Sequence, residues 1–282
     1  MRVVRHSGRD ACYESMLEVL MRRVFGFSFT PFFNLAGWPD TYESFSIVEE
    51  GKMLSNVCAY QMILRIHGRD TAVRQLGAVA TLPERRGEGL SATLMRHVME
   101  RFGDTPLLLF ANEHVTGFYP RFGFVRVQEC VFEVRLAPNG AAAAPTQFAC
   151  DDRKVAVMLD RNICLSGHFD VAGAQYVRLF NLTTGFQNDL YMSSDGGLLV
   201  AARRCGELLL VAGVVSPSPC SLQDVVSILP LRGVTRIRFG FCPDCLGVSL
   251  DNADVAEADS LLYTNKPSLF PEYFAFPMLC VT

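Results

Sequence analysis

The stretch that most restricts the fold is QLGAVATLPERRGEGLSATLMRHVMERF, Gln75 to Phe102. An extended run ends at Leu82-Pro83, and Arg85-Arg86-Gly87-Glu88-Gly89-Leu90-Ser91 leads straight into a segment with Leu90, Leu94, Met95, Val98, Met99 and Phe102 on one helical face. Strand, glycine loop and amphipathic helix in that order are an α/β pattern. The first N–H groups of a helix lack intrahelical partners, and the helix dipole is positive there. Small residues let a ligand approach the backbone, and Arg85 and Arg86 add charge at the rim. The segment is a candidate anion site whose natural guest is a pyrophosphate.

Composition narrows the class. The chain has 282 residues, 50% of them hydrophobic and 20% charged, with a formal charge of −3, which excludes disorder. A pI near 6.0 argues against a dedicated nucleic-acid binder. At roughly 100–200 residues per domain, the length suggests two domains. Mean hydropathy is +0.21, but the strongest apolar run, Leu208–Val215, spans eight residues where a membrane helix needs about 20. That run reads as a buried strand. The N-terminal stretch reaches Asp10 and Glu14 before any sustained apolar run, unlike a signal peptide. Ten cysteines without small-scaffold spacing favour reduced thiols. The expectation is a cytoplasmic protein with no membrane and no nucleic-acid partner.

Along the chain, Asp10–Phe25 has helical spacing, and an aromatic loop holding the only tryptophan, Trp38, follows. Extended runs are expected at Phe45–Glu49, Met53–Ile66, Ala72–Thr81, Pro106–Ala111 and Phe124–Leu136, with helices at Leu90–Phe102 and Val115–Phe122. The proline-flanked APNGAAAAPT, Ala137 to Thr146, reads as a linker. Helical material is expected to about Leu182. Strands follow at Leu190–Met192, Leu198–Arg204, Glu207–Val215 and Arg236–Phe241, with a helix at Ser221–Ile228. This strand, strand, helix, strand order echoes the first half.

A second motif is LLLFANEHVTGFYPRFGF, Leu107 to Phe124. A strand leads to Asn112, and seven residues later comes Tyr119, followed by Arg121-Phe122-Gly123-Phe124. Gly87-x-Gly89-x-x-Ala92 matches a dinucleotide fingerprint with Glu113 beyond it, but four residues separate the strand's end from the first glycine. The nucleotide fold turns at once, and it leaves the second motif unexplained. Taken together, the two stretches closely resemble the GNAT superfamily of N-acetyltransferases over roughly residues 1–136. VATLPERRG and ANEHVTGFYPRFGF are most similar to the enhanced-intracellular-survival type, which also carries a degenerate second acetyltransferase-like domain.

The resemblance implies an α/β (α+β, mixed-sheet) protein of tandem acetyltransferase-like domains. Residues 1–136 would be catalytic, 137–149 a linker and 150–282 the degenerate copy. It implies acetyl-CoA as co-substrate. Backbone groups of Val79, Ala80 and Thr81 would pair with the pantetheine arm, one N–H polarising the thioester carbonyl. Arg86 and the amides of Gly87, Glu88, Gly89, Leu90, Ser91 and Ala92 would hold the pyrophosphate. Ser91 departs from the Gly or Ala that the family prefers. Asn112 would contact the cofactor, although a capping role alone is equally compatible with its place. Tyr119 is the family's general acid toward the leaving thiolate.

The base stays open. Glu113, His114 and Glu50 are candidates by proximity, and in the survival-type relatives the C-terminal carboxylate acts, which points to Thr282. Those relatives carry a further C-terminal domain that 282 residues do not accommodate. Cys242-Pro243-Asp244-Cys245 has metal or redox spacing but no second CxxC, so a turn is the expected account, with Cys220 and Cys280 as the extra residues to examine. Where the echo would place a second anion loop, Val214–Val226 has two prolines and no glycine. The expected function is direct acetyl transfer to a primary amine on a small molecule or peptide, with a homo-oligomer left open. The competing readings are a non-catalytic acyl-CoA-binding regulator and a nucleotide-dependent oxidoreductase.

Overall fold

A computed structural model describes residues 2–35, 40–136, 147–252 and 254–282. Trp38 and the expected linker at Ala137–Thr146 lie outside the described residues. In chain order the elements are β1 (Val3–His6), α1 (Ala11–Phe25), α2 (Thr30–Asn34), β2 (Tyr42–Glu49), β3 (Lys52–Ile66), β4 (Arg69–Thr81), α3 (Leu90–Phe102), β5 (Leu107–Phe110), β6 (Val125–Arg126) and β7 (Cys130–Arg135). They continue as α4 (Asp152–Asp160), β8 (Phe169–Ala172), α5 (Gln175–Phe180), β9 (Leu190–Met192), β10 (Leu199–Cys205), β11 (Leu208–Val215), α6 (Leu222–Ser227), β12 (Arg236–Phe239), β13 (Asp254–Glu257) and β14 (Leu262–Thr264).

Local chemistry accounts for the helix ends. Asp10 accepts the N–H groups of Cys12 and Tyr13 at the start of α1, and Gly26 closes the helix in the left-handed region at φ 76°. Ser221 and Asp224 form a reciprocal capping box on α6. Residues 53–60 of β3 are buried without alternation, so both faces of the sheet are covered there, and α1 and α3 both pack on this strand. The antiparallel β3–β4 hairpin runs on through α3 to β5, which lies parallel to β4. This is the crossover that a parallel pair requires.

The α/β class with two mixed sheets holds, but the sheets trade strands. The first runs β1-β2-β3-β4-β5-β14-β6, with β8 paired to the far half of β3, and the second runs β13-β7-β12-β11-β10-β9. Thus β14, near the end of the chain, sits between β5 and β6, while β7 pairs with β12 and β13.

Three local expectations are corrected. The helix expected at Val115–Phe122 is two 3-10 turns, Glu113–Val115 and Tyr119–Phe122, because Gly117 and Pro120 interrupt the pattern. The strand expected at Phe124–Leu136 is divided between β6 and β7, each in a different sheet. The helical stretch expected to about Leu182 contains β8, whose four residues FDVA, with Asp170 among them, are too few to show a period of their own.

Candidate active site

The site is built where β4 and β5 part. The parallel register pairs Arg74, Gln75 and Leu76 with Leu107, Leu108 and Leu109 and goes no further. Beyond it, Ala111 donates its N–H to the Leu261 carbonyl, on the side away from β4. β4 continues to Thr81, so the edge of residues 77–81 borders an open, V-shaped splay that holds the expected Val79, Ala80 and Thr81. On its other edge β4 stays on β3, with a bulge that sets Ala78 and Val79 against Val57.

At the mouth of the splay lies the glycine loop. A 3-10 turn at Pro83–Arg85 follows β4, and Gly87 and Gly89 stand at φ 83° and 78°, in the left-handed region that favours glycine. A Cβ on either glycine would meet nothing within 4 Å, so the face they present is open. Gly89 is the N-cap of α3 and supplies no side-chain cap, which leaves the first amides of the helix to a ligand. Among the arginines, Arg85 is tied to Glu88 and Glu49, both at 2.7 Å. Arg86 is exposed and has no ion pair among the described residues, so it is the one available to an anion.

Ser91 faces inward. Its Oγ lies 2.6 Å from Thr81 Oγ1 and 3.4 Å from Ser55 Oγ, and Ser55 Oγ lies 2.8 Å from Thr81 Oγ1. This hydroxyl cluster fastens the start of α3 to the ends of β3 and β4. The departure from Gly or Ala thereby gains a structural reason, with the Ser91 amide left in the loop. Leu90 and Ala92 turn their side chains into the core.

Beyond the end of β5, Asn112 is exposed and its side chain caps nothing, although its carbonyl accepts the Val115 N–H at 3.0 Å. Tyr119 is only 5% exposed, its ring against Phe118, Phe124 and Tyr263. Its hydroxyl has no hydrogen-bond partner among the described residues, and burial pushes its pKa up to about 12.

The chain's last described segment reaches the same splay. Gln75, fully buried on β4, donates Nε2 to the Cys280 carbonyl at 3.0 Å and accepts the Thr282 N–H at 2.5 Å. A Cβ at Gly77 would stand 2.7 Å from Thr282 Oγ1, so Thr282 lies directly on the backbone at the fork. Asn181 donates to the Leu279 and Val281 carbonyls, and Arg178 donates to Cys280 Sγ at 3.1 Å while paired with the buried Asp170. Glu113, His114 and Glu50 are exposed instead. Glu50 occupies the β2–β3 turn, next to the Glu49 that holds Arg85 beside the loop.

The second sheet repeats the fork without the opening. Parallel β11 and β12 pair from Leu208–Arg236 to Val211–Phe239, then part. There Met278 donates its N–H to the Gly240 carbonyl at 2.7 Å, and Leu279 lies against Gly213. The chain's own tail fills this fork, and the proline-bearing loop before α6 has no glycines to form a cradle. The Cys242–Cys245 spacing falls in a 3-10 turn after β12, as expected. Cys245 Sγ neighbours Cys164 at 3.6 Å, and Cys164 in turn neighbours Cys220 at 3.7 Å. Among the described residues no group of three or more His, Cys, Asp or Glu is arranged to hold a metal ion. Among them, too, no helix is long and apolar enough to cross a membrane.

Sequence reasoning missed Ser55, Asn56, Gln75 and Gly77. The available signal was Ser55-Asn56 interrupting the otherwise apolar MLSNVCAY of β3.

The fold has counterparts among known proteins. The family model for the acetyltransferase (GNAT) domain matches residues 8–127. No curated protein matches the sequence. Among solved structures, a protein from Enterococcus faecalis described as a probable N-acyltransferase is similar over 93% of this chain and 72% of its own, with TM-score 0.60 and 15% identity. Eis1 from Mycobacterium abscessus is similar over 92% and 73%, with TM-score 0.56 and 16% identity. A GCN5-related N-acetyltransferase from Anabaena variabilis gives 93% and 72%, TM-score 0.58 and 13% identity. At such identities the likeness is one of fold, and it extends over both sheets.

Proposed function

From a GNAT-type domain in the first half and a tandem fold over the whole, we propose that this chain is an N-acetyltransferase. It moves an acetyl group from acetyl-CoA directly to a primary amine on a small molecule or peptide. Residues 1–136 supply the co-substrate contacts and Tyr119, while 150–282, the degenerate copy, add β14 to the same sheet and bring Thr282 to the fork. The observation that carries the reading is an uncapped glycine loop at the mouth of a strand fork, with a buried tyrosine beyond β5 whose hydroxyl has no hydrogen-bond partner among the described residues.

The residues present suit this co-substrate, since the open faces of Gly87 and Gly89 leave room at the backbone. When bound, acetyl-CoA supplies an activated thioester. Arg86 and the amides from Gly87 to Ala92 hold the pyrophosphate, Val79–Thr81 pair with the pantetheine arm, and Asn112 contacts the cofactor from the far strand. The chain's chief contributions are positioning and carbonyl polarisation. Tyr119 places a neutral hydroxyl at the leaving sulfur. An amine of pKa ~10.4 must shed a proton to attack at neutral pH. Thr282 is the candidate acceptor, a role that requires a free α-carboxylate at this residue; intact mass of the natural protein checks that.

The test is calorimetric titration with acetyl-CoA and NAD in parallel, then thiol release against a panel of amines. Acetyl-CoA binding with amine-dependent CoA release is expected. Tight binding without turnover on any amine would favour an acyl-CoA-binding regulator. A folded sample that ignores acetyl-CoA overturns the reading.

A further inference from the structure

One peptide group in the fork is singled out by what holds it. β4 lies between β3 and β5. Its pairing with β3 runs from Arg69 to Gly77, breaks, and resumes with Ala80 opposite Asn56 and Thr81 opposite Ser55. Within the break Ala78 stands at φ 47°, a left-handed conformation rare for a residue with a side chain. Such a conformation persists only where the surroundings over-determine it.

Two buried side chains of β3 do this. Asn56 donates Nδ2 to the Ala78 carbonyl at 3.3 Å, and Ser55 donates Oγ to the Ala80 carbonyl at 2.8 Å. Asn56 is itself fixed, accepting the Ser44 hydroxyl on Oδ1 at 2.7 Å, with Nδ2 also 3.2 Å from Cys58 Sγ. A peptide unit is planar and, among the described residues, none is cis, so the C=O and N–H of one unit point in opposite directions. A carbonyl of Ala78 turned toward β3 sends the Val79 N–H toward β5. There the strand pairing has already ended, at Leu76–Leu109. The Val79 N–H therefore faces the open fork.

We propose that Asn56 is a positioning residue that aims the Val79 N–H at the acyl carbonyl, selecting Val79 from the three backbone groups at the fork. This rests on the fork being the acetyl-CoA site. Asn56 touches no substrate; it acts through the Ala78–Val79 peptide. A donor held in place before the reaction stabilises developing charge without reorganising.

The experiment uses the full chain and acetyl-CoA labelled with carbon-13 at the thioester carbonyl. In the wild type the carbonyl stretch shifts to lower wavenumber on binding. Asn56→Asp keeps an acceptor for Ser44 and removes the donor to Ala78. That variant should lose most of the shift, and its kcat should fall about 10-fold or more, a fraction of what loss of a whole oxyanion donor costs. Ser44→Ala, which loosens Asn56 but keeps its donor to Ala78, should lose less of the shift than Asn56→Asp. A second measurement needs no variant: with nitrogen-15 valine, the Val79 amide resonance moves further on adding acetyl-CoA than on adding CoA, which has the pantetheine arm but lacks the thioester carbonyl. An unchanged shift in Asn56→Asp, or a Val79 amide that responds equally to both ligands, overturns the proposal. Failure of the wild type to bind acetyl-CoA would instead overturn the reading of the site itself.

Discussion

At the scale of single residues, Tyr119 shows how burial sets chemistry. Its pKa is pushed up to about 12 by desolvation, whereas a thiol leaving group has a Cys-like pKa of ~8.5. Full proton transfer would run uphill by about 5 kcal/mol. The hydroxyl is therefore better suited to hydrogen-bonding the sulfur than to surrendering its proton. Tyr119→Phe is expected to lower kcat by ~10²-fold while leaving the Kd for acetyl-CoA almost unchanged, as steady-state kinetics and calorimetry would show. The same shift bears on stability. Between pH 10 and about 12 the folded chain keeps this proton and the unfolded chain loses it, so stability falls as pH rises through that window. The loss attributable to Tyr119 is up to about 3 kcal/mol. Denaturant titrations across that range should fall less steeply in Tyr119→Phe, and an identical slope would deny the shift.

At the scale of elements, the loop from Thr81 to Leu90 combines two devices that separate binding from stability. Gly89 carries the left-handed turn on which α3 begins, and nothing occupies the place of its missing Cβ. Gly89→Ala should cost about 1–2 kcal/mol in backbone strain, and it puts a methyl on the face meant for phosphate. Thermal unfolding would report the first effect, and a Kd for acetyl-CoA raised about 10-fold the second. The two arginines should behave unequally despite being adjacent. Arg85 is already neutralised by Glu49 and Glu88, while Arg86 has no ion pair among the described residues. Arg86→Ala should weaken acetyl-CoA binding and flatten its salt dependence; Arg85→Ala should do little of either. Equal effects would mean that the ion pairs of Arg85 open in solution.

For the whole molecule, strand exchange ties the two sheets into one cooperative structure. β14 completes the first sheet, β7 belongs to the second, and the tail from Met278 to Thr282 runs from the closed fork to the open one. The full chain should unfold in a single calorimetric transition whose measured and van't Hoff enthalpies agree. Residues 1–136 expressed alone should not fold, lacking β14 between β5 and β6. Two separated transitions would show that the exchanged strands contribute little. Leu279, buried in the second fork, is a local probe of the same coupling. Leu279→Ala should cost about 2–5 kcal/mol and loosen Thr282 at the first fork as well.

The sequence alone determined the parts whose causes are local. Periodicity placed α1, α3 and the β2–β5 strands, and spacing brought the glycine loop and the Asn112–Tyr119 segment into view, because helix faces, breakers and turn residues act over a few positions. Thr282 entered only through resemblance, and its place beside Gln75 and Gly77 comes from the tertiary structure. The tertiary structure decided what depends on residues far apart in the chain. Whether Phe124–Leu136 is one strand or two depends on Leu262–Thr264 entering beside β5. Whether Ser91 faces phosphate or protein depends on Ser55 and Thr81 lying beneath it. That the second fork is closed depends on a leucine some 66 residues from the glycine it covers. Such pairings leave no period in the sequence, since each is fixed by the packing partner and not by its neighbours along the chain.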